Sequence, residues 1–168
     1  MLTKNFYSYM KSKLQNVATE FTIKNGEVIT YSPMSNSDNP PFAVMNKWSA
    51  SVNAMGVSFG TGNTPASISD YALGSILDNT QISVSTPSAV SYSRGDAFDE
   101  YSASFGVTNK TDEAITVSEV GLTAKTHPNF DNAYVLVDRT VLDAPVTIPA
   151  HQTKHIAYTI RFNYGDAV

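Results

Sequence analysis

Two groups of carboxylates, Asp96 with Asp99 and Glu100, and Asp112 with Glu113, come closest to a pattern that could do chemistry. Paired carboxyl groups held a fixed distance apart across a cleft can hydrolyse glycosides, and crowded oxygen ligands in a loop can hold calcium. Both groups sit beside turn sequences, where Asp and Glu are ordinary solvated residues. Of the two chemistries a calcium loop is the better fit, and catalysis is not expected. Imidazole is the commonest metal ligand and base, which brings in His127, His151 and His155. His151 and His155 flank a strand start, but no acid stands at a ligand-like spacing, so a solvent-facing pair is expected rather than a metal site. Gly60-Thr61-Gly62 is followed by Asn63 and Pro65 instead of a helix opening, which reads as a turn and not as a phosphate cradle. No serine lies in a Gly-x-Ser-x-Gly elbow. The absence of cysteine removes thiolate nucleophiles, thiolate metal sites and disulfides. Arg94-Gly95-Asp96 is read as a turn rather than an adhesion signal. Arg139 stands in an apolar neighbourhood, where a long cation is expected to pair with a carboxylate such as Asp143 or Glu119, or to reach a neighbouring subunit. No catalytic residue, cofactor or metal ligand is assigned.

The elements that would position these residues are mostly strands. With 168 residues the chain can bury a single core without covalent help. It is 42% hydrophobic and only 15% charged, which describes a folded chain whose polar surface is largely Ser, Thr and Asn. Eleven Lys and Arg against fifteen Asp and Glu give a net charge of −4, and no basic cluster breaks the pattern. Nucleic acid is therefore a poor partner. Lysines interrupt the first fourteen residues as a leader sequence, and no apolar run is long enough to span a membrane, so assembly in a cytoplasm is expected.

Residues 1–16 read as an amphipathic helix or arm, with Leu2, Phe6, Tyr9, Met10 and Leu14 on one face. That helix either caps the main domain, residues 17–168, or docks on a neighbour. Deleting it separates the two readings: capping predicts lost stability, and docking predicts a folded domain that no longer assembles. Residues 20–31 read as a hairpin closed by a two-residue turn at Asn25-Gly26. Ser32 to Pro41 is a loop, and a strand is expected between Phe42 and Phe59, where Trp48 is read as a core residue. In the turn-rich segment Gly60 to Leu77, Ser69 or Asp70 could cap a brief helical turn that carries Tyr71 and Leu73 into the core.

The second half alternates clearly. Tyr101, Ala103, Phe105 and Val107 share one face, and Ile156, Tyr158, Ile160, Phe162 and Tyr164 share another. Between Val117 and Val120 the alternation changes phase, which a β-bulge near Glu119-Val120 would explain. Tyr134 to Val137 is apolar on both faces, as in a central strand. Many short strands with almost no helix imply an all-β chain, an antiparallel β-sandwich of jelly-roll-like type.

Val117 to Leu122 (VSEVGL), Tyr134 to Ile148 (YVLVDRTVLDAPVTI) and Ile156 to Phe162 (IAYTIRF) resemble consecutive sandwich strands of small structural proteins encoded by tailed bacteriophages. The block from Gly60 to Leu73 is similar to a turn segment that precedes those strands. The resemblance covers about the last two-thirds of the chain and implies a non-enzymatic virion subunit of the neck or tail, or a head decoration protein. Its implied partners are other virion proteins and copies of itself, arranged in a symmetric ring or shell. Leu2, Phe6, Tyr9, Met10, Leu14 and Arg139 are the candidate subunit contacts. The rival is a carbohydrate- or host-surface-binding module, which predicts exposed aromatics and a cation site gathered at one end. The structural reading predicts apolar patches spread over several faces.

Overall fold

The computed structural model describes residues 1–15, 18–23, 25–31, 55–85, 87, 90–125 and 134–163. The loop at 32–41, Trp48, His127 and Tyr164 lie outside them. The chain is all-β as expected, and its described residues form antiparallel strands with one short helix, α1 (Lys4–Gln15). The strands in order are β1 (Thr19–Thr22), β2 (Val28–Tyr31), β3 (Gly56–Gly60), β4 (Ile82–Val84), β5 (Ser91–Arg94), β6 (Phe98–Asn109), β7 (Ile115–Lys125), β8 (Tyr134–Ile148) and β9 (Thr153–Asn163).

The organising feature is one long antiparallel hairpin bent in its middle. Its arms are β6 continued by β7, and β8 continued by β9. At the far half β7 pairs with β8 from Lys125↔Tyr134 to Ile115↔Ile148, and at the near half β6 pairs with β9 from Thr108↔Thr153 to Phe98↔Asn163. The segments 109–115 and 148–153 therefore turn a corner together, sending the two halves into different sheets. Asn109 pins that corner from a fully buried position. Its Nδ2 donates to the carbonyls of Glu113 (2.7 Å) and Ile148 (3.0 Å), and its Oδ1 accepts from the N–H and hydroxyl of Thr111, both at 2.8 Å.

β3 adds to the other side of β7, so the first sheet runs β3-β7-β8. In the second sheet β9 occupies one edge of β6 along its whole length. A strand has only two bonding edges, so β4, opposite 107–109, and β5, opposite 99–102, lie end to end along the other edge. Ser85 keeps contact between them, its N–H donating to the Gly106 carbonyl at 2.9 Å. β1 and β2 form a separate two-stranded sheet.

Both larger sheets feed one core, in which Val57, Phe59, Val120, Leu122 and Val137 meet Phe105, Val107, Ile156 and Ile160. The rings of Phe59 and Phe105 touch across the sheets, edge to face at 5.7 Å. The helix belongs to the same core through Phe6 and Tyr9. Ahead of it, Leu2 bridges to Asp138, the Thr3 N–H donates to the Val137 carbonyl, and the Arg139 N–H donates to the Met1 carbonyl. β8 is thus the side strand of its sheet among the described strands, not the central one expected. Its two apolar faces are explained by cover from residues 1–9.

Two turns differ from expectation. The hairpin between β1 and β2 closes with a three-residue loop, because the Ile23 N–H reaches the Glu27 carbonyl while the Gly26 N–H returns to the Ile23 carbonyl. Gly26 sits at φ +84°, the left-handed position such loops require after a turn. Ser67 to Asp70 forms a turn rather than a helical cap, and Tyr71 remains exposed instead of entering the core. The phase change in β7 is found at Ser118, one residue before Glu119. The extra residues that compensate for it, 142–145, sit on β8, where Pro145 has no ladder bond to lose. A second register shift places one extra residue in β8 between Leu136 and Asp138.

Candidate functional site

Glu119, Arg139 and Asp70 come from three separate blocks of the sequence and meet in one buried network. Glu119 lies at the register break of β7 with its side chain fully buried. Its Oε1 accepts the N–H groups of Gly62 (3.0 Å) and Ser75 (2.8 Å). Oε2 accepts the Gly74 N–H (3.0 Å) and the Arg139 Nε (2.8 Å). Burial pushes this carboxyl upward, but the Ser75 and Gly74 amides and the Arg139 guanidinium outweigh it and hold the group below its ordinary range. Arg139 is engaged further: one terminal nitrogen donates to Asp70 at 2.8 Å and the other to the Thr64 carbonyl at 3.0 Å. Asp70 in turn accepts the Ser67 N–H at 2.8 Å.

Gly60-Thr61-Gly62 thus does help form an anion nest, and the anion is the chain's own glutamate. A Cβ at Gly60 or Gly62 would stand 2.5 Å from Glu119 Oε1, so the loop backbone must approach bare. Through Glu119, Asp70 and the Thr64 carbonyl, Arg139 braces the loop. Of the two carboxylates proposed for it, Glu119 is the partner; Asp70 was missed because turn residues give no signal of what lies beneath them.

The loop so braced carries the N-terminal elements. The Lys4 N–H donates to the Ile68 carbonyl at 2.8 Å, and the ring of Tyr71 lies against Gly26 at the hairpin turn. The Asn5 amide doubles as a strand partner for β1, donating to the Thr22 carbonyl and accepting its N–H, each at 2.8 Å. Between α1 and the hairpin lies an open groove of about 690 Å3, lined by Lys4, Tyr7, Ser8, Lys11, Glu20, Thr30 and neighbours including Ile68.

The candidate contacts on the helix are largely used within the chain. Phe6 and Tyr9 are buried, Leu2 and Met10 are half-buried against the core, and the Leu14 side chain lies outside the described residues. With Arg139 also buried, the described ones among these side chains pack within the chain's own fold. Exposure falls instead on Tyr7 (53%), Val28 (59%), Ile68 (46%) and Tyr71 (40%), with Met1 nearby in sequence. These belong to the helix, the hairpin and the braced loop; Tyr92, on β5, is the exception among the described residues. Among the described residues, the large exposed apolar side chains other than Tyr92 therefore belong to the helix, the hairpin and the braced loop, gathered toward one end.

The other chemical candidates stay apart. Arg94 is locked to Asp99 by two bonds of 2.7 and 3.1 Å, with Tyr92 donating to the same carboxylate at 2.6 Å. That engagement and the adjoining Gly95–Phe98 bond make Arg94-Gly95-Asp96 a hairpin turn. Glu100 accepts from Arg161 at 2.6 Å. His151 and His155 are both exposed. His151 does find an acid, Asp112 at 3.0 Å, brought in by the shared corner. No group of three or more metal-ligating side chains occurs among the described residues. Tyr158 donates to Asp138 at 2.7 Å, and burial beside that carboxylate keeps its hydroxyl protonated well above the usual range. No protein-family model, no curated protein and no solved structure matches the chain.

Proposed function

We propose that the two larger sheets form a jelly-roll-like sandwich and that the chain is a non-enzymatic structural subunit of a tailed-phage virion. It serves in the neck or tail, or as a head decoration, and assembles with other virion proteins and copies of itself in a symmetric ring or shell. The observation that carries this reading is the fate of the blocks that bear the resemblance. Glu119 of EVGL, Arg139 of the RTVL strand and Asp70 of the turn segment satisfy one another in the interior. The residues that look distinctive are spent on presenting a surface; its exposed apolar side chains gather toward one end, where the structural reading had expected several faces, and support that reading as a single docking face of the kind that marks protein contacts.

A second reading has an observation of its own. Tyr7 is exposed in the groove beside Ser8 and Thr30, an aromatic with hydroxyls at hand as in a sugar site, and the exposed Tyr71 lies on the braced loop. The cation site that the same reading predicts has no counterpart among the described residues. Mass spectrometry of purified particles decides between them. The structural reading expects the chain at a fixed copy number in washed virions; a chain missing from particles that binds a glycan array would replace it with the second.

A further inference from the structure

Lys4, Tyr7, Ser8 and Lys11 fall at helical positions i, i+3, i+4 and i+7 and form one stripe of α1, the stripe that walls the groove. Both lysines are exposed, and neither takes part in an ion pair among the described residues. Seven helical residues separate them by about 10 Å along the axis, and Tyr7 with Ile68 supplies apolar surface in the same groove. Two cations outside any ion pair, against the one carboxylate of Glu20 in the same groove, leave it locally positive in a chain whose net charge is −4. They complement negative charge brought by a partner.

The facing wall narrows the class of partner. In an antiparallel ladder successive residues direct their N–H and C=O alternately toward and away from the neighbouring strand. Ile23 bonds toward β2, while both groups of Thr22 point away and are taken by Asn5. By that alternation the N–H and C=O of Glu20 also point away from β2, on the edge that borders the groove. Another polypeptide backbone complements such a pair of groups. The Glu20 carboxylate on the rim disfavours a dense polyanion such as polyphosphate or nucleic acid.

The geometry points to an extended acidic segment of a neighbouring protein as the occupant of this groove. Its carboxylates meet Lys4 and Lys11, and an apolar side chain between them rests on Tyr7 and Ile68. The inference rests on the reading of this end as a docking surface under the proposed function, and adds the chemistry of the partner. The test is a titration of the full-length, isotope-labelled chain with a short capped peptide of alternating glutamate and valine, followed by amide chemical shifts. Control arms use the lysine-for-glutamate peptide, inorganic tripolyphosphate and a chitin tetrasaccharide. The expected result is saturable shifts at groove residues with the acidic peptide alone, weakened tenfold or more in the Lys4→Glu/Lys11→Glu variant, whose unperturbed shifts elsewhere report an intact fold. No saturable binding, equal binding by the variant, or preference for the basic peptide, the polyphosphate or the sugar would overturn it. Incorporation of the variant into particles separates the two levels: normal incorporation removes the groove's role while leaving the virion reading, and absence of even the native chain from particles removes the virion reading itself.

Discussion

Glu119 is a charged side chain with no solvent exposure, a placement that folding tolerates only when every lone pair is engaged and a countercharge is present. Three backbone amides and Arg139 meet that condition. Glu119→Ala leaves Arg139 buried beside an empty nest and is expected to cost about 3–5 kcal/mol, read from urea denaturation. The same geometry fixes a pH dependence. Because the carboxyl is held below its ordinary value of 4.5 in the folded chain, folding favours the deprotonated form. The linked stability is fully present above about pH 5 and is lost as pH falls through the depressed folded value. Glu119→Gln should flatten the stability profile in that acidic window; an unchanged slope would show that another group governs it. The glycines make a sharper contrast. Gly62→Ala drives a methyl to 2.5 Å from Glu119 Oε1, whereas Gly74→Ala meets nothing nearer than 3.5 Å. The first is expected to cost about 1–3 kcal/mol and the second much less, checked by comparing thermal midpoints.

At the scale of elements, the bent hairpin concentrates the fold in one corner, and Asn109 is the side chain both of its arms share. Asn109→Ala orphans the buried Ile148 carbonyl and releases the 109–115 turn, with an expected cost of about 2 kcal/mol or more. Denaturant unfolding of the variant measures it. The helix is held as firmly: Phe6→Ala removes a ring packed on Phe162 at 6.0 Å, and a loss of about 3 kcal/mol is expected in the same assay. Removal of residues 1–16 should likewise destabilise the fold. The alternation of side chains made β6 and β9 readable from sequence, because each has one face in the core and one in solvent. It could not reveal that β6 and β7 part at the corner. A polar turn such as Asn109 to Glu113 closes a hairpin or crosses between sheets with the same residues, and only the partner strand decides. β3 and most of β7 are buried on both faces, which erases the period of two. The network at Glu119 was half legible: a lone arginine among valines announces a buried partner, but the contribution of loop amides leaves no trace in residue type.

Among the described residues, a β framework supports a helix, a hairpin and a loop that together display the large exposed apolar side chains other than Tyr92, and two lysines outside any ion pair. The blocks on which the proposed function rests send Glu119, Val120, Leu122 and Arg139 into the interior, whereas the displayed Tyr7 and Val28 lie outside those blocks and Ile68 and Tyr71 lie in the turn segment. Such a division suits a scaffold whose interior is set by folding and whose contacts are set by what it carries at one end. Exposed Tyr7, Ile68 and Tyr71 are costly on a solitary surface and useful at an interface, where aromatic side chains bury most area for least lost freedom. Image reconstruction of purified particles tests this most directly, by fitting the chain into density and reading which surface is covered. The account predicts a fixed number of copies with the α1 and β1–β2 end seated on a neighbouring subunit. A chain found with that end facing open solvent, or found in no particle at all, would contradict it.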